Sequence, residues 1–179
     1  AESYRSYDSE WANLSNVPFR LYKQWAHEGG ISSPFFIRWP RAIRSNSVTS
    51  RVGHLMDIYP TILELAGLSY PAADHLLPLE GESLVRTLKG DSTVRSKPLF
   101  WEFRGHHSVR RGNWKLVAES GGNWELYNMS SDRVESKNLS DQQPERVSSM
   151  EALYEEWANR VGALTHDECL QKGVSTQSR

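Results

Sequence analysis

Between Leu99 and Asn128, four short runs rich in apolar and aromatic residues, Leu99–Phe103, His107–Arg111, Trp114–Glu119 and Trp124–Asn128, are separated only by Gly105, Gly112-Asn113 and Gly121-Gly122. Turns this short join neighbouring strands antiparallel, since a parallel return needs a long crossover. The stretch predicts a four-stranded antiparallel meander. Alternation directs several of Trp101, Trp114, Trp124 and Tyr127 inward, as core rather than as a platform for stacking sugars. Downstream, Val147, Met150, Leu153, Tyr154, Trp157 and Val161 recur at helical spacing, with Pro144 near the first turn, where a missing amide costs little. A helix over Gln143–Val161 is predicted to cover one face of the meander.

Ahead of residue 92 the pattern changes. Residues 1–18 show no period and predict a surface loop. The stretch from Lys23 to Pro40 holds the densest set of signals: a lysine, the Glu28-Gly29-Gly30 triplet, and an apolar run from Ile31 to Trp39 bounded by Pro40. Paired glycines mark backbone that turns sharply or is closely approached. The near-continuous apolar run predicts a strand buried on both faces, as in a parallel α/β sheet. Leu55, Ile58, Tyr59, Ile62, Leu63 and Leu65-Ala66 give a helical spacing within Val52–Leu68, closed by Gly67, with Pro60 in an early turn. Residues 69–98 are loop-rich, with a short helix over Ser83–Leu88 capped by Ser83. Residues 165–179 read as a polar, frayed tail.

Composition removes several function classes. With 38% hydrophobic and 24% charged residues and a formal charge of −1, the 179-residue chain has the make-up of a globular protein with a real core and no electrostatic footprint for nucleic acid. No run approaches the roughly 20 apolar residues of a membrane span. The single Cys169 has no internal disulfide partner, so cysteine usage leaves the compartment open.

In order and spacing, Lys23, Glu28, Gly29, Gly30, Pro34, Trp39 and Pro40 resemble the sulfatases of the alkaline-phosphatase-like superfamily. Five later blocks extend the resemblance: Asp57-Ile58-Tyr59-Pro60-Thr61 with Leu65-Ala66-Gly67, Gly81-Glu82-Ser83-Leu84, Val109 through Leu116, Glu125-Leu126-Tyr127, and Glu135 with Asn138-Leu139. Six blocks in one order are far more specific than any glycine pair. The resemblance implies an α/β fold, α+β within this chain: residues 1–92 as the C-terminal end of the catalytic domain with its last strand and helix, 93–164 as an antiparallel sheet and helix subdomain, and 165–179 as a tail. It implies a sulfuric ester hydrolase acting on aryl sulfates or sulfated carbohydrates, dependent on a divalent cation, calcium or magnesium, and on formylglycine, in a periplasmic or secreted setting. The family's formylglycine arises in a Cys-x-Pro-x-Arg motif, which is absent here: Cys169 is followed by Leu170-Gln171-Lys172. The resemblance therefore places nucleophile and cation in an upstream part of the same polypeptide, expects neither in this chain, and expects this portion alone to be inactive.

Lys23 matches the family lysine that contacts the substrate sulfate, and a compact ammonium with three donors suits such an anion. His106 and His107, at the turn between the first two meander strands, are candidate substrate-binding groups, because imidazole transfers protons near neutrality. Many members of the family carry His directly after Trp-Glu in this block, where this chain has Phe103, so His106 or His107 is expected to take over the same pocket wall. Glu28 is expected to fix backbone, His27 to be a surface or structural residue, and Asp57 to be a packed, hydrogen-bonded acid. Two rival readings stay open at this point: phosphate or phosphonate ester hydrolysis within the superfamily, because one lysine reads any tetrahedral oxyanion alike, and a non-catalytic binding module. Asn13-Leu14-Ser15, Asn128-Met129-Ser130 and Asn138-Leu139-Ser140 fit the N-glycosylation pattern, which matters only in a eukaryotic secreted protein.

Overall fold

The structure, a computed structural model, describes residues 8–71, 75–91 and 95–173. In chain order it runs α1 (Ser9–Ser15), α2 (Glu28–Ile31), α3 (Ile58–Leu65), α4 (Val85–Leu88), β1 (Leu99–Phe103), β2 (His106–Arg111), β3 (Trp114–Ala118), β4 (Glu125–Asn128), α5 (Pro144–Val161) and α6 (His166–Gln171). Two compact units result, one of Ala1–Ser33 with Pro98–Arg179 and one of Pro34–Lys97. Residues 8–33 thus pack with the meander.

In the first unit the strands pair antiparallel in sequence order, β1-β2-β3-β4. The β1–β2 connection is the two residues Arg104 and Gly105, at φ 54° and 85°, which is what a type I′ turn demands. Gly112, at φ 59°, opens the equally short β2–β3 turn. Because side chains alternate, each strand serves two faces. One face carries Val109, Leu116 and Leu126 against Met150 of α5, flanked by Phe100, Trp114, Trp124 and Tyr154. Phe100 stacks on Trp157 with centroids 5.0 Å apart. Each fully buried aliphatic side chain here is worth about 1.5–3 kcal/mol. α5 starts on Pro144 and stops at Gly162, whose φ of 69° ends the helix without steric cost.

The opposite face is covered by the segment leading into α2. Val117 and Tyr127 meet Ala26 and Met129 there, with Trp101 alongside. Beside them lies Lys115, with no exposed surface, whose Nζ sits 3.1 Å from Glu28 Oε1 and 2.8 Å from Glu135 Oε1. Glu135 Oε2 accepts the Glu28 backbone N–H at 2.8 Å. Arg110 and Arg133 approach the Glu28 carboxylate at 3.9 and 3.6 Å. These contacts, to partners such as Lys115 and Glu135 that lie 87 and 107 positions away in sequence, are why residues 8–33 belong with the sheet. They also explain the glycine pair: a Cβ on Gly29 would collide with the carbonyl oxygens of Arg20 and Leu21, and one on Gly30 with those of Trp25 and Tyr22. Close approach, not positive φ, fixes both glycines.

In the Pro34–Lys97 unit a 3-10 turn, Leu55–Asp57, leads into α3, with Pro60 in its first turn and Gly67 (φ 67°) at its end. Asp57 is fully buried and is the knot of the unit, accepting from His54 N at 2.7 Å, Glu82 N at 2.8 Å and an Arg95 guanidinium nitrogen at 2.6 Å. Thr61 Oγ1 takes the Leu84 N–H at 2.8 Å, and Ser83 Oγ that of Val85 at 3.2 Å, opening α4. These bonds strap the Gly-Glu-Ser-Leu block to α3.

Three expectations need correction. Ile31 closes α2, and residues 32–39 form no strand: the only sheet among the described residues is the meander, so this run has no ladder partner, and Phe35 and Phe36 are 60% and 89% exposed. Within the expected N-terminal loop, residues 9–15 form α1. The expected frayed tail contains α6, because Thr165 and Glu168 make a reciprocal capping box, with Glu168 N to Thr165 Oγ1 at 3.3 Å and Thr165 N to Glu168 Oε2 at 2.7 Å, and Cys169 is buried. Residues 174–179 of that tail lie outside the described residues.

Candidate functional site

Lys23 sits on the loop between Arg20 and Glu28. Leu21 and Gln24, on either side of Tyr22-Lys23, hold φ of 66° and 94°, left-handed conformations that cost a residue with a Cβ about 1–2 kcal/mol each. Such strain persists only where the surroundings over-determine it. Here they do: Tyr22 and Trp25 pack edge to face at 4.6 Å, the Trp25 indole N–H reaches Glu119 Oε2 at 3.4 Å, and an Arg104 guanidinium nitrogen donates to Gln24 Oε1 at 3.4 Å. With its neighbours engaged, Lys23 is left exposed, with no hydrogen-bond or ion-pair partner among the described residues.

The two candidate histidines are consecutive residues of β2 and so point to opposite faces. They do not line one wall. His106 lies on the Lys23-loop face, only 6% exposed, with its ring centroid 5.5 Å from that of Trp25. Its Nδ1 accepts the Ser120 backbone N–H at 3.2 Å, which leaves the proton of the neutral ring on Nε2. Burial, the largest influence, pushes its pKa below the usual histidine value. His107 lies on the helix face, Nδ1 to the Gly105 carbonyl at 2.6 Å, between Trp124 at 4.4 Å and Tyr154 at 4.9 Å. Burial lowers its pKa as well.

A cluster that the sequence did not reveal supports the loop from below. Glu125 Oε2 accepts from the Tyr127 hydroxyl at 2.7 Å and meets His27 Nε2 at 3.2 Å and an Arg20 guanidinium nitrogen at 3.5 Å. The His27 hydrogen bond, with help from Tyr127 and Arg20, holds the Glu125 carboxyl down to about 2. Burial and Glu125 together raise the Tyr127 phenol. His27 is fully buried and structural. Alternation already placed Glu125 and Tyr127 on one face; what the sequence hid was the partner face, which comes from residues 20–27.

The residues present do not fit a divalent cation. Among the described residues no group of three or more His, Cys, Asp or Glu side chains converges on one point. The buried carboxylates are already neutralised, Asp57 by Arg95, and Glu28 and Glu135 by Lys115 together with Arg110 and Arg133. Nor is any helix among them long and apolar enough to cross a membrane.

Residues 19–161 match the family described as N-sulphoglucosamine sulphohydrolase, C-terminal. The chain belongs to this sulfatase family. It is 37% identical over 99 residues to a sulfatase of Formosa agariphila, across 54% of this chain and 18% of that protein. Over 93 residues it is 38% identical to the N-acetylgalactosamine-6-sulfatase of Mus musculus, across 51% of this chain and 17% of that one. Among solved structures, that of Ps i-CgsB superposes with a TM-score of 0.68 at 23% identity, covering 86% of this chain and 36% of its own, a likeness that carries the fold. The chain spans less than a quarter of the length of either sulfatase relative, and is a C-terminal portion of the sulfatase fold. Within that family match lie the Lys23 loop, the meander and α5.

Proposed function

We propose that this chain serves a longer sulfatase polypeptide by presenting Lys23 to the sulfate group of the substrate and His106 to one wall of the cleft, while the formylglycine nucleophile and the divalent cation are supplied by other parts of that polypeptide. The reaction is hydrolysis of a sulfate ester, with sulfated carbohydrates favoured over aryl sulfates because the family description and the mouse relative's name both specify sulfated amino sugars. The observation that carries the reading is the exposed, unpartnered Lys23 held between two left-handed residues. A freely solvated lysine needs no strained backbone on both sides; an ammonium that must meet an anion at a fixed place does. His106, neutral with its proton on Nε2, has a hydrogen-bond donor for a sulfuryl or leaving-group oxygen. His107 is wedged between Trp124 and Tyr154, and its role is packing.

In the full polypeptide, Lys23→Ala should lower turnover roughly a hundredfold or more, the usual loss when one charge-stabilising donor is removed. Lys23→Arg should restore the charge but not most of the rate, since a planar guanidinium does not fit the place of an ammonium. Lys172→Ala, at an exposed residue just past α6, should change nothing. Equal and small effects at Lys23 and Lys172 would remove Lys23 from the site, and turnover of phosphate esters in preference to sulfate esters would overturn the reaction class.

A further inference from the structure

We infer that Arg104 and Gln24 form a second anion subsite beside Lys23, one that selects a saccharide bearing another negative group, sulfate or carboxylate, in addition to the sulfate held at Lys23. The inference rests on the reading of Lys23 given above. Arg104 occupies the first of the two turn residues between β1 and β2, at φ 54°, where Asn, Asp or Gly is the low-cost choice and a long side chain is strained by about 1 kcal/mol. Gln24, at φ 94°, is a second left-handed residue with a Cβ, and no hairpin accounts for it. The two strained residues are hydrogen-bonded to each other, and Gln24 is the chain neighbour of Lys23. Strain shared by two residues that touch, next to an unpaired ammonium, points to a binding constellation rather than to a turn accident.

The charges agree. Arg20, Arg110 and Arg133 each face a glutamate, at 3.5, 3.9 and 3.6 Å. Among the described residues Arg104 has no such pairing: it is exposed, its guanidinium carbon lies 5.3 Å above the Phe103 ring, and its polar contact is the Gln24 amide oxygen. One edge of the guanidinium is therefore oriented by Gln24 and its plane by Phe103, which leaves the remaining N–H groups as a fork for a carboxylate or sulfate. Gln24 Oε1 accepts from Arg104, and its amide NH2, which has no acceptor among the described residues, can donate to the same anion. Behind this edge the turn is fixed by the Gly105 N–H donating to Glu102 Oε1 at 2.9 Å.

Titration of the isotopically labelled chain by NMR tests this with three probes: glucose 6-sulfate, with one anion; glucosamine N,6-disulfate, with two sulfates; and glucuronic acid 2-sulfate, with a sulfate and a carboxylate. The wild type should bind at least one two-anion probe about fivefold or more tighter than glucose 6-sulfate, the worth of one exposed charge-assisted contact, and the better of the two identifies the second group. Arg104→Gln should abolish the preference, so that all three probes bind with one affinity, even if that common affinity falls because the Arg104–Gln24 bond also helps to hold the Lys23 loop. Arg104→Gly, which also relaxes the left-handed turn, should raise Tm and lose the same preference, so that misfolding does not mimic the result. Equal affinity for the three probes, a preference that survives either variant, or no binding by the wild type overturns the proposal. Lys23→Ala should weaken all three probes; if it weakens none while Arg104→Gln still removes the preference, the subsite stands and the reading of Lys23 falls.

Discussion

Leu116 and Lys115 are neighbours on β3, both without exposed surface, and they face opposite layers. Leu116 points at α5 into a cluster of aliphatic and aromatic side chains, where attraction is non-directional and roughly proportional to area. Lys115 points at the Lys23-loop layer and is held by two buried glutamates. A buried ion pair adds little net stability over a well-packed apolar equivalent, because desolvation consumes most of the Coulomb gain. What it supplies is position: the Glu28 carboxylate fits one place on the sheet, and the strained Lys23 loop is attached to Glu28. The helix face holds the unit together, and the charged face determines where the candidate site lies.

The sharpest way to break this contrast is Lys115→Met. It strands Glu135 in the interior, leaves Glu28 to Arg110 and Arg133, and should cost about 3–5 kcal/mol in urea denaturation, whereas Lys115→Met combined with Glu28→Leu and Glu135→Leu should recover only part of that loss, because Arg110 and the residue-28 N–H then lose their acceptors. The triple variant should nevertheless weaken ligand-induced shifts at Lys23, because the loop then loses its anchor at Glu28. Failure of the triple to recover stability would mean that the charges themselves stabilise the fold. On the helix face, Leu116→Ala should cost about 2–5 kcal/mol, but Leu116→Met less than about 1.5 kcal/mol, since volume rather than direction matters there. If Leu116→Met proves as damaging as Leu116→Ala, the two faces are equally exacting and the contrast fails.

The smallest effect concerns pH. Folding depresses the pKa of both His106 and His107, mainly through burial, so the folded state holds fewer protons than the unfolded chain just below the ordinary histidine value. Stability should therefore be fully present above about pH 6.5 and decline as the pH falls below it. His107→Phe should flatten this dependence at a small cost at every pH, because an apolar ring suits its aromatic slot but the Gly105 carbonyl loses its partner. His106→Gln should flatten it too, again at some cost at every pH, since the Ser120 N–H must find a new acceptor. Thermal melts from pH 8 to pH 5 check both.

What was legible in the sequence follows the same division. The meander and α5 could be read because their signals are local: glycine turns, alternation, a helical period. Thr165 and Glu168 were equally local, and their three-residue spacing was the overlooked sign of α6. Residues 32–39 misled because apolar content states that a run should be buried but not which strand it pairs with, and pairing is not encoded in the run itself. The sequence placed His106 in the turn and began the strand at His107; only with β2 starting at His106 does parity put the two histidines on opposite faces. Lys115 and Glu28, 87 positions apart, carry no sequence sign of each other, and with them the support beneath Lys23 stayed hidden.

The sequential strand order has a kinetic consequence. Each strand of the meander pairs with its nearest neighbour along the chain, and α5 follows directly, so residues 99–161 can assemble through short loop closures that cost little entropy. The Glu28 segment must return from 87 residues upstream of Lys115 and should dock on a sheet that already exists. Substitutions of Leu116 or Met150 should then slow refolding, whereas substitution of Glu28 should leave refolding nearly untouched and accelerate unfolding. On this view the Lys23 loop is the last piece of its unit to arrive and the first to leave, which makes its residence time on the sheet adjustable without touching the rate at which the sheet forms.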